Sequence, residues 1–140
     1  MKINIHYDIV KFRLRQSNAI KKIMARIVSD AGMRGGSIQT IFTSDEKLYE
    51  INSEFLGHDY YTDIITFNYN KGKTVNGEIY ISADRIKENA ETYKASVKDE
   101  IRRVIFHGVL HLCGYDDRTK EQQRRMREME DLYLALSYAE

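Results

Sequence analysis

Two histidines one helical turn apart, His107 and His111, precede a glycine and two consecutive aspartates in the run HGVLHLCGYDD, residues 107–117. At i and i+4 on a helix, two imidazoles leave on the same side, one above the other, and both can reach one divalent ion. A third donor must then come from outside the helix. Gly114 allows a sharp reversal of the chain, which brings Asp116 or Asp117 back toward the histidines. The chemistry this suggests is that of a mononuclear metal centre with an open coordination position.

The spacing His-x3-His-x5-Asp also matches that of the metzincin peptidases, in which a glycine turn delivers the third ligand. Those enzymes carry a glutamate after the first histidine as general base, and here that position is Gly108. A zinc peptidase is therefore a poor fit. Cys113 has no second cysteine to pair with, and reads as a small apolar residue turned toward the core.

The elements that must position these groups follow from patterning. Val97, Ile101, Val104, Ile105, Gly108 and Leu112 recur at helical spacing, so the histidines ride on a helix over residues 97–112, capped by Ser96 and stopped by Gly114. A last helix starts at Thr119, with Gln122 completing a capping box and Met126, Met129, Tyr133 and Leu136 as its inner stripe. Upstream, the periodicity predicts helices over 17–31, from a Thr43–Glu46 capping box to about Gly57 with Leu48, Ile51 and Phe55 inward, and from Ser82 to about Tyr93, with Tyr93 inward. Alternating or β-branched runs at 3–7, 37–42, 63–67 and 77–81 predict strands, Gly35–Gly36 a turn, and residues 68–76 a loop. The expected architecture is a single α+β domain over residues 1–140, a small, mostly four-stranded mixed sheet packed with about five helices, and a metal site at the end of a central helix.

Composition narrows the function classes. The chain has 140 residues, enough for one core, with 42% hydrophobic and 31% charged residues. A net charge of +1 gives no global pull toward a polyanion, so any nucleic acid must be held by local patches. One cysteine, an N-terminal run interrupted by His6 and Asp8, and no long apolar stretch lead to the expectation of a cytoplasmic protein without membrane association.

The run His107–Asp117 resembles the signature of the YbeY-type endoribonucleases, the bacterial rRNA maturation factors, in which His-Gly-x-Leu-His-Leu-x-Gly-Tyr-Asp is followed by a third histidine. Thr62–Phe67 resembles that family's Thr-Asp-Val-Leu-Ser-Phe strand, and Gly77–Ser82 its Gly-Asp-Ile-x-Ile-Ser strand. The resemblance implies a metal-dependent endoribonuclease acting on single-stranded RNA, at the 3′ end of small-subunit rRNA and in ribosome quality control, with the ribosome or assembly factors as partners and no DNA. It implies His107 and His111 as ligands, with Asp117 in the place where most members have histidine, and one divalent ion per chain, zinc before manganese or iron(II). Asp116 is the alternative ligand, and otherwise a cap of the turn or an acceptor of the proton from the attacking water.

Leu56 stands where the family has an arginine, and leucine cannot stabilise phosphoryl charge. His58, Arg102 and Arg103 are possible substitutes that read first as surface residues. Tyr60 and Tyr61 are placed to stack on unpaired bases, and Arg118, Lys120, Arg124, Arg125 and Arg127 to meet phosphates, although Glu121, Glu128, Glu130 and Asp131 balance that helix. The competing expectation is a ribosome-assembly or RNA-binding module whose metal is structural or vestigial.

Overall fold

The computed structural model describes residues 1–139. Its elements run β1 (Lys2–Tyr7), α1 (Ser17–Asp30), β2 (Arg34–Thr43), α2 (Asp45–Leu56), β3 (Ile64–Asn68), β4 (Thr74–Ser82), α3 (Ala83–Thr92), α4 (Val97–Leu112) and α5 (Lys120–Tyr138). One four-stranded sheet has the order β1-β2-β4-β3; β1, β2 and β4 are parallel, and β3 returns antiparallel to β4. The expected α+β class, mixed sheet and five helices are all present.

Period-two alternation decides which sheet face meets the helices. Ile38 and Phe42 of β2, with Val75, Ile79 and Ile81 of β4, point to one side and form the main core with Ile20, Met24 and Ile27 of α1 and Ile105, Val109 and Leu112 of α4. Ile65, offset by one residue, points to the other side and joins Leu48 and Ile51 of α2 in a smaller cluster. Helix α4 is thus enclosed by the sheet, α1, α3 and α5, and Val104, Ile105, Phe106, Val109 and Leu110 are buried around much of its circumference.

Several expectations shift. The Gly35–Gly36 pair makes no turn but lies inside β2, where pairing with β4 slips between Gly35 and Ile38, a bulge that extends the strand to Arg34. That pairing also draws Thr74–Asn76 out of the expected loop into β4. Ser44 rather than Thr43 caps α2, accepting from the Lys47 N–H, while Thr43 is buried with its hydroxyl donating to Asp8. Tyr93, Val97 and Phe55 are exposed, because each sits at a helix end where the neighbouring layer has already finished. Met129 and Leu136 flank the α5 stripe at partial burial, beside Met126 and Tyr133 at its centre.

A candidate metal centre on the central helix

The C-terminal end of α4 is fixed from both sides. Gly114 takes φ +97°, its N–H bonds to His111 O at 3.0 Å and the Tyr115 N–H bonds to Leu110 O at 3.1 Å, so a left-handed glycine closes the helix and turns the chain back. From the loop between β3 and β4, the Asn70 amide donates to Leu112 O at 2.8 Å, satisfying a carbonyl the helix leaves free. Thr119 and Gln122 then form the expected capping box of α5. Asp117 is held in the short segment between these two anchored ends.

Asp117 reaches the histidine pair: its Oδ2 lies 3.5 Å from His107 Nε2 and 3.5 Å from His111 Nε2. Donor atoms of all three residues fall within 4.8 Å of one another, the only such cluster of metal-ligating side chains among the described residues. Four donors about 2.0–2.1 Å from a tetrahedral ion are roughly 3.3 Å apart, so the observed spacing fits a small divalent cation with little rearrangement. Two imidazoles and a carboxylate suit zinc, manganese or iron(II) by donor chemistry. Asp116 is exposed and lines a separate depression with Glu121, Gln122 and Arg125, outside this cluster.

The position of His107 is set by a residue the sequence reading left on the surface. Glu130 of α5 is only 7% exposed, and its Oε2 accepts from His107 Nδ1 at 2.6 Å. That bond places the ring proton on Nδ1 and leaves the Nε2 lone pair facing Asp117 and His111. The other Glu130 oxygen accepts from Arg103 at 3.3 Å, and Arg103 also pairs with Asp131 at 2.9 Å. Burial alone would lower the His107 pKa, but the hydrogen bond and charge of Glu130, with Asp117 and Asp63 adding, outweigh it and hold it above the ordinary histidine value. The signal for Glu130 was spacing: Met126, Glu130, Tyr133 and Ser137 follow one another at i, i+4, i+7 and i+11, so a carboxylate stands on the inward stripe.

Gly108, which replaces the peptidase glutamate, faces the sheet. A Cβ there would lie 3.0 Å from Ile64 Cδ1 and 3.0 Å from Ile79 Cγ2, so the position serves close packing of helix on sheet and has no room for a proton acceptor.

The proposed cations separate clearly. Arg102 is 1% exposed, donates to Ser137 O, Ser137 Oγ and Gln16 Oε1 at 2.8–2.9 Å, and lies 4.0 Å over the Tyr138 ring. It is a structural tie and not the surface residue expected. His58 is exposed and stacked on Tyr60, with centroids 5.1 Å apart. Arg124 is paired with Glu121 and Glu128. Arg127, exposed, lines both depressions that border His107 and forms no ion pair among the described residues. Tyr60 and Tyr61 are exposed on a loop pinned by buried Asn52, whose amide donates to Tyr60 O at 2.9 Å. Leu56 is exposed at the end of α2.

A histidine pair on a buried helix and a carboxylate returned by a glycine turn form, on an α+β domain, a cluster that could hold a metal ion. Comparison with known proteins makes this specific. The family described as Endoribonuclease YbeY matches residues 3–137. An Endoribonuclease YbeY of Bacteroides thetaiotaomicron is 47% identical over 110 residues, covering 79% of this chain and 80% of the relative. One from Flavobacterium johnsoniae is 36% identical over 138 residues, 99% of each. A Thermotoga maritima protein solved in solution shares the fold with a TM-score of 0.66 at 28% identity, over 97% of this chain and 89% of its own. The chain belongs to the endoribonuclease YbeY family, whose members are hydrolases that act on RNA. Among the described residues no helix is long and apolar enough to cross a membrane.

Proposed function

We propose that this protein cuts single-stranded RNA by metal-assisted phosphodiester hydrolysis, in rRNA maturation at the small-subunit 3′ end and in ribosome quality control, in the cytoplasm. The observation that carries the reading is the convergence of His107, His111 and Asp117, in a chain of this family, with Asp117 Oδ2 at 3.5 Å from both imidazoles. These three side chains would hold one divalent ion per chain, zinc first. Bound there, the ion would polarise a phosphoryl oxygen and acidify a water molecule.

The chain's own residues do the remaining work. Glu130 keeps the His107 proton on Nδ1, so that Nε2 is available as a donor. Asp117 in place of a neutral histidine lowers the net charge of the site, which makes the water less acidic than three imidazoles would. Arg127, free of carboxylate partners and beside His107, supplies phosphate contact that Leu56 cannot. Asp116 lines a separate depression outside the cluster, so the proton of the attacking water leaves to solvent and not directly to this carboxylate. Tyr60 and Tyr61 offer exposed rings for unpaired bases.

The test compares metal content by elemental analysis and cleavage of a single-stranded RNA for wild type, Asp117→Asn and Asp116→Asn. The reading expects about one ion per wild-type chain, loss of both ion and cleavage in Asp117→Asn, and full metal content with cleavage little changed in Asp116→Asn. Wild type that stays metal-free after zinc, manganese and iron(II) are supplied contradicts it, and a folded, metal-loaded protein that binds rRNA without cutting it moves the function to assembly.

A further inference from the structure

Beside the metal ligands lies a cavity of about 490 Å³ that the chemistry above leaves unused, bordered by Asp63, Asn89, Tyr93, Glu100, Arg103 and Arg127, with His107 and Glu130 forming the wall shared with the metal centre. Its polar groups are mostly engaged. Asn89 Nδ2 donates to Asp63 at 3.3 Å, and Arg103 is paired with Glu130 and Asp131.

Glu100 is the exception. It is 6% exposed, it lines the cavity, and no hydrogen bond or ion pair holds its carboxyl among the described residues. The side-chain polar atoms sealed without a partner among those residues are Thr40 Oγ1 and Arg102 Nε, so the unpaired Glu100 oxygens open onto the cavity, where a ligand can engage them. Burial, opposed by Arg103 and reinforced by Asp63 and Glu130, raises its proton affinity above that of an ordinary glutamate.

The placement is regular. Glu100, Val104, His107 and His111 follow at i, i+4, i+7 and i+11 along α4, so the free carboxyl shares a face with both histidines and stands roughly 10 Å along the axis from the first of them. A second metal ion is not what the cavity is shaped for, since its carboxylates do not converge with a third donor as the triad does.

We infer that this cavity is a nucleobase subsite, in which the ionised Glu100 carboxyl reads the two adjacent N–H donors of an unpaired guanine next to the scissile phosphate. The ligand class rests on the endoribonuclease reading; the hydrogen-bonding pattern does not. An ionised carboxyl accepts from the two adjacent donors of guanine, N1–H and N2–H, whereas adenine and cytosine set their one N–H donor group beside a ring nitrogen that also accepts. Uracil offers a single N–H between two carbonyls, and leaves a buried carboxylate facing oxygen. Tyr93, a residue 71% exposed at the rim, supplies a stacking face, and Arg127 at the mouth suits the adjoining phosphate.

The experiment titrates metal-free protein with GMP, AMP, CMP and UMP and follows backbone amide NMR signals, so that no cleavage is required. GMP is expected to shift Asn89, Glu100 and Arg103 and to bind about tenfold tighter than AMP, CMP or UMP. Glu100→Ala removes the preference. Glu100→Gln, which presents a donor beside an acceptor, raises AMP, CMP and UMP binding relative to GMP. Equal binding of all four nucleotides, shifts confined to other parts of the surface, an order unchanged in Glu100→Gln, or a cavity that takes Mg2+ alone overturns the inference. RNA cleavage without base preference sinks this subsite alone. Base preference without cleavage sinks the nuclease reading alone.

Discussion

Replacing Glu130 by glutamine isolates the contact that orients His107. The glutamate accepts from His107 Nδ1 at 2.6 Å while itself 7% exposed, a short charge-assisted bond away from solvent. A hydrogen bond to a charged group contributes about 1.5–3 kcal/mol and a neutral one about 1 kcal/mol, so Glu130→Gln should cost the bound state about 0.5–2 kcal/mol. That corresponds to a Kd for metal weaker by about 2–30-fold, overlapping the roughly 10–100-fold losses found when partners of ligating histidines are changed. Folding should change little. Arg103 keeps its bond to Asp131 at 2.9 Å, and the amide oxygen can still accept from His107. Competition with a chelating dye gives the Kd, and thermal unfolding of the metal-free proteins gives the control. Unchanged metal affinity in a folded Glu130→Gln protein would refute the reasoning, since Glu130 would then be a packing residue and not a determinant of the donor state of His107.

Three further outcomes follow from other parts of the fold. Arg102→Ala should lower stability by about 2–4 kcal/mol, because it orphans Ser137 and Gln16 and empties a buried position, yet metal stoichiometry should stay at one; denaturant unfolding beside elemental analysis separates the two. Burial and then the bond to Asp30 push the Tyr133 hydroxyl up to about 12. The unfolded group ionises near its ordinary value of about 10, so stability fully present below that pH is lost as pH rises toward about 12, and urea midpoints at about pH 9 and 11 should fall less in Tyr133→Phe. Arg127→Ala should weaken RNA binding and reduce its salt dependence by about one counterion while leaving metal content unchanged, measured by binding at several salt concentrations.

The clustering of His107, His111 and Asp117 was legible because the three are nearly contiguous. A helical His pair, a glycine stop and an aspartate three residues past that glycine can be assembled by local geometry alone, and Gly114 adopts the left-handed turn that assembly needs. Element types were legible for the same reason, since caps such as Ser82, Ser96 and Thr119 act within four residues. What lay beyond reach depends on which helix packs on which. Glu130 and Arg102 looked like surface charges until α5 lay along α4, placing one against His107 and burying the other under Tyr138. The bulge at Gly35–Gly36 likewise requires β4 as its partner, and nothing in the two glycines distinguishes it from a turn.

The central claim is that RNA hydrolysis runs through an ion held by His107, His111 and Asp117. Its most direct test strips the protein with chelator and titrates zinc back while cleavage of a single-stranded RNA is followed. The account predicts no cleavage in the stripped protein and a rise that saturates at one ion per chain, with no recovery in a His107→Ala/His111→Ala variant. Cleavage that persists without metal, or that returns equally in the double variant, would contradict it.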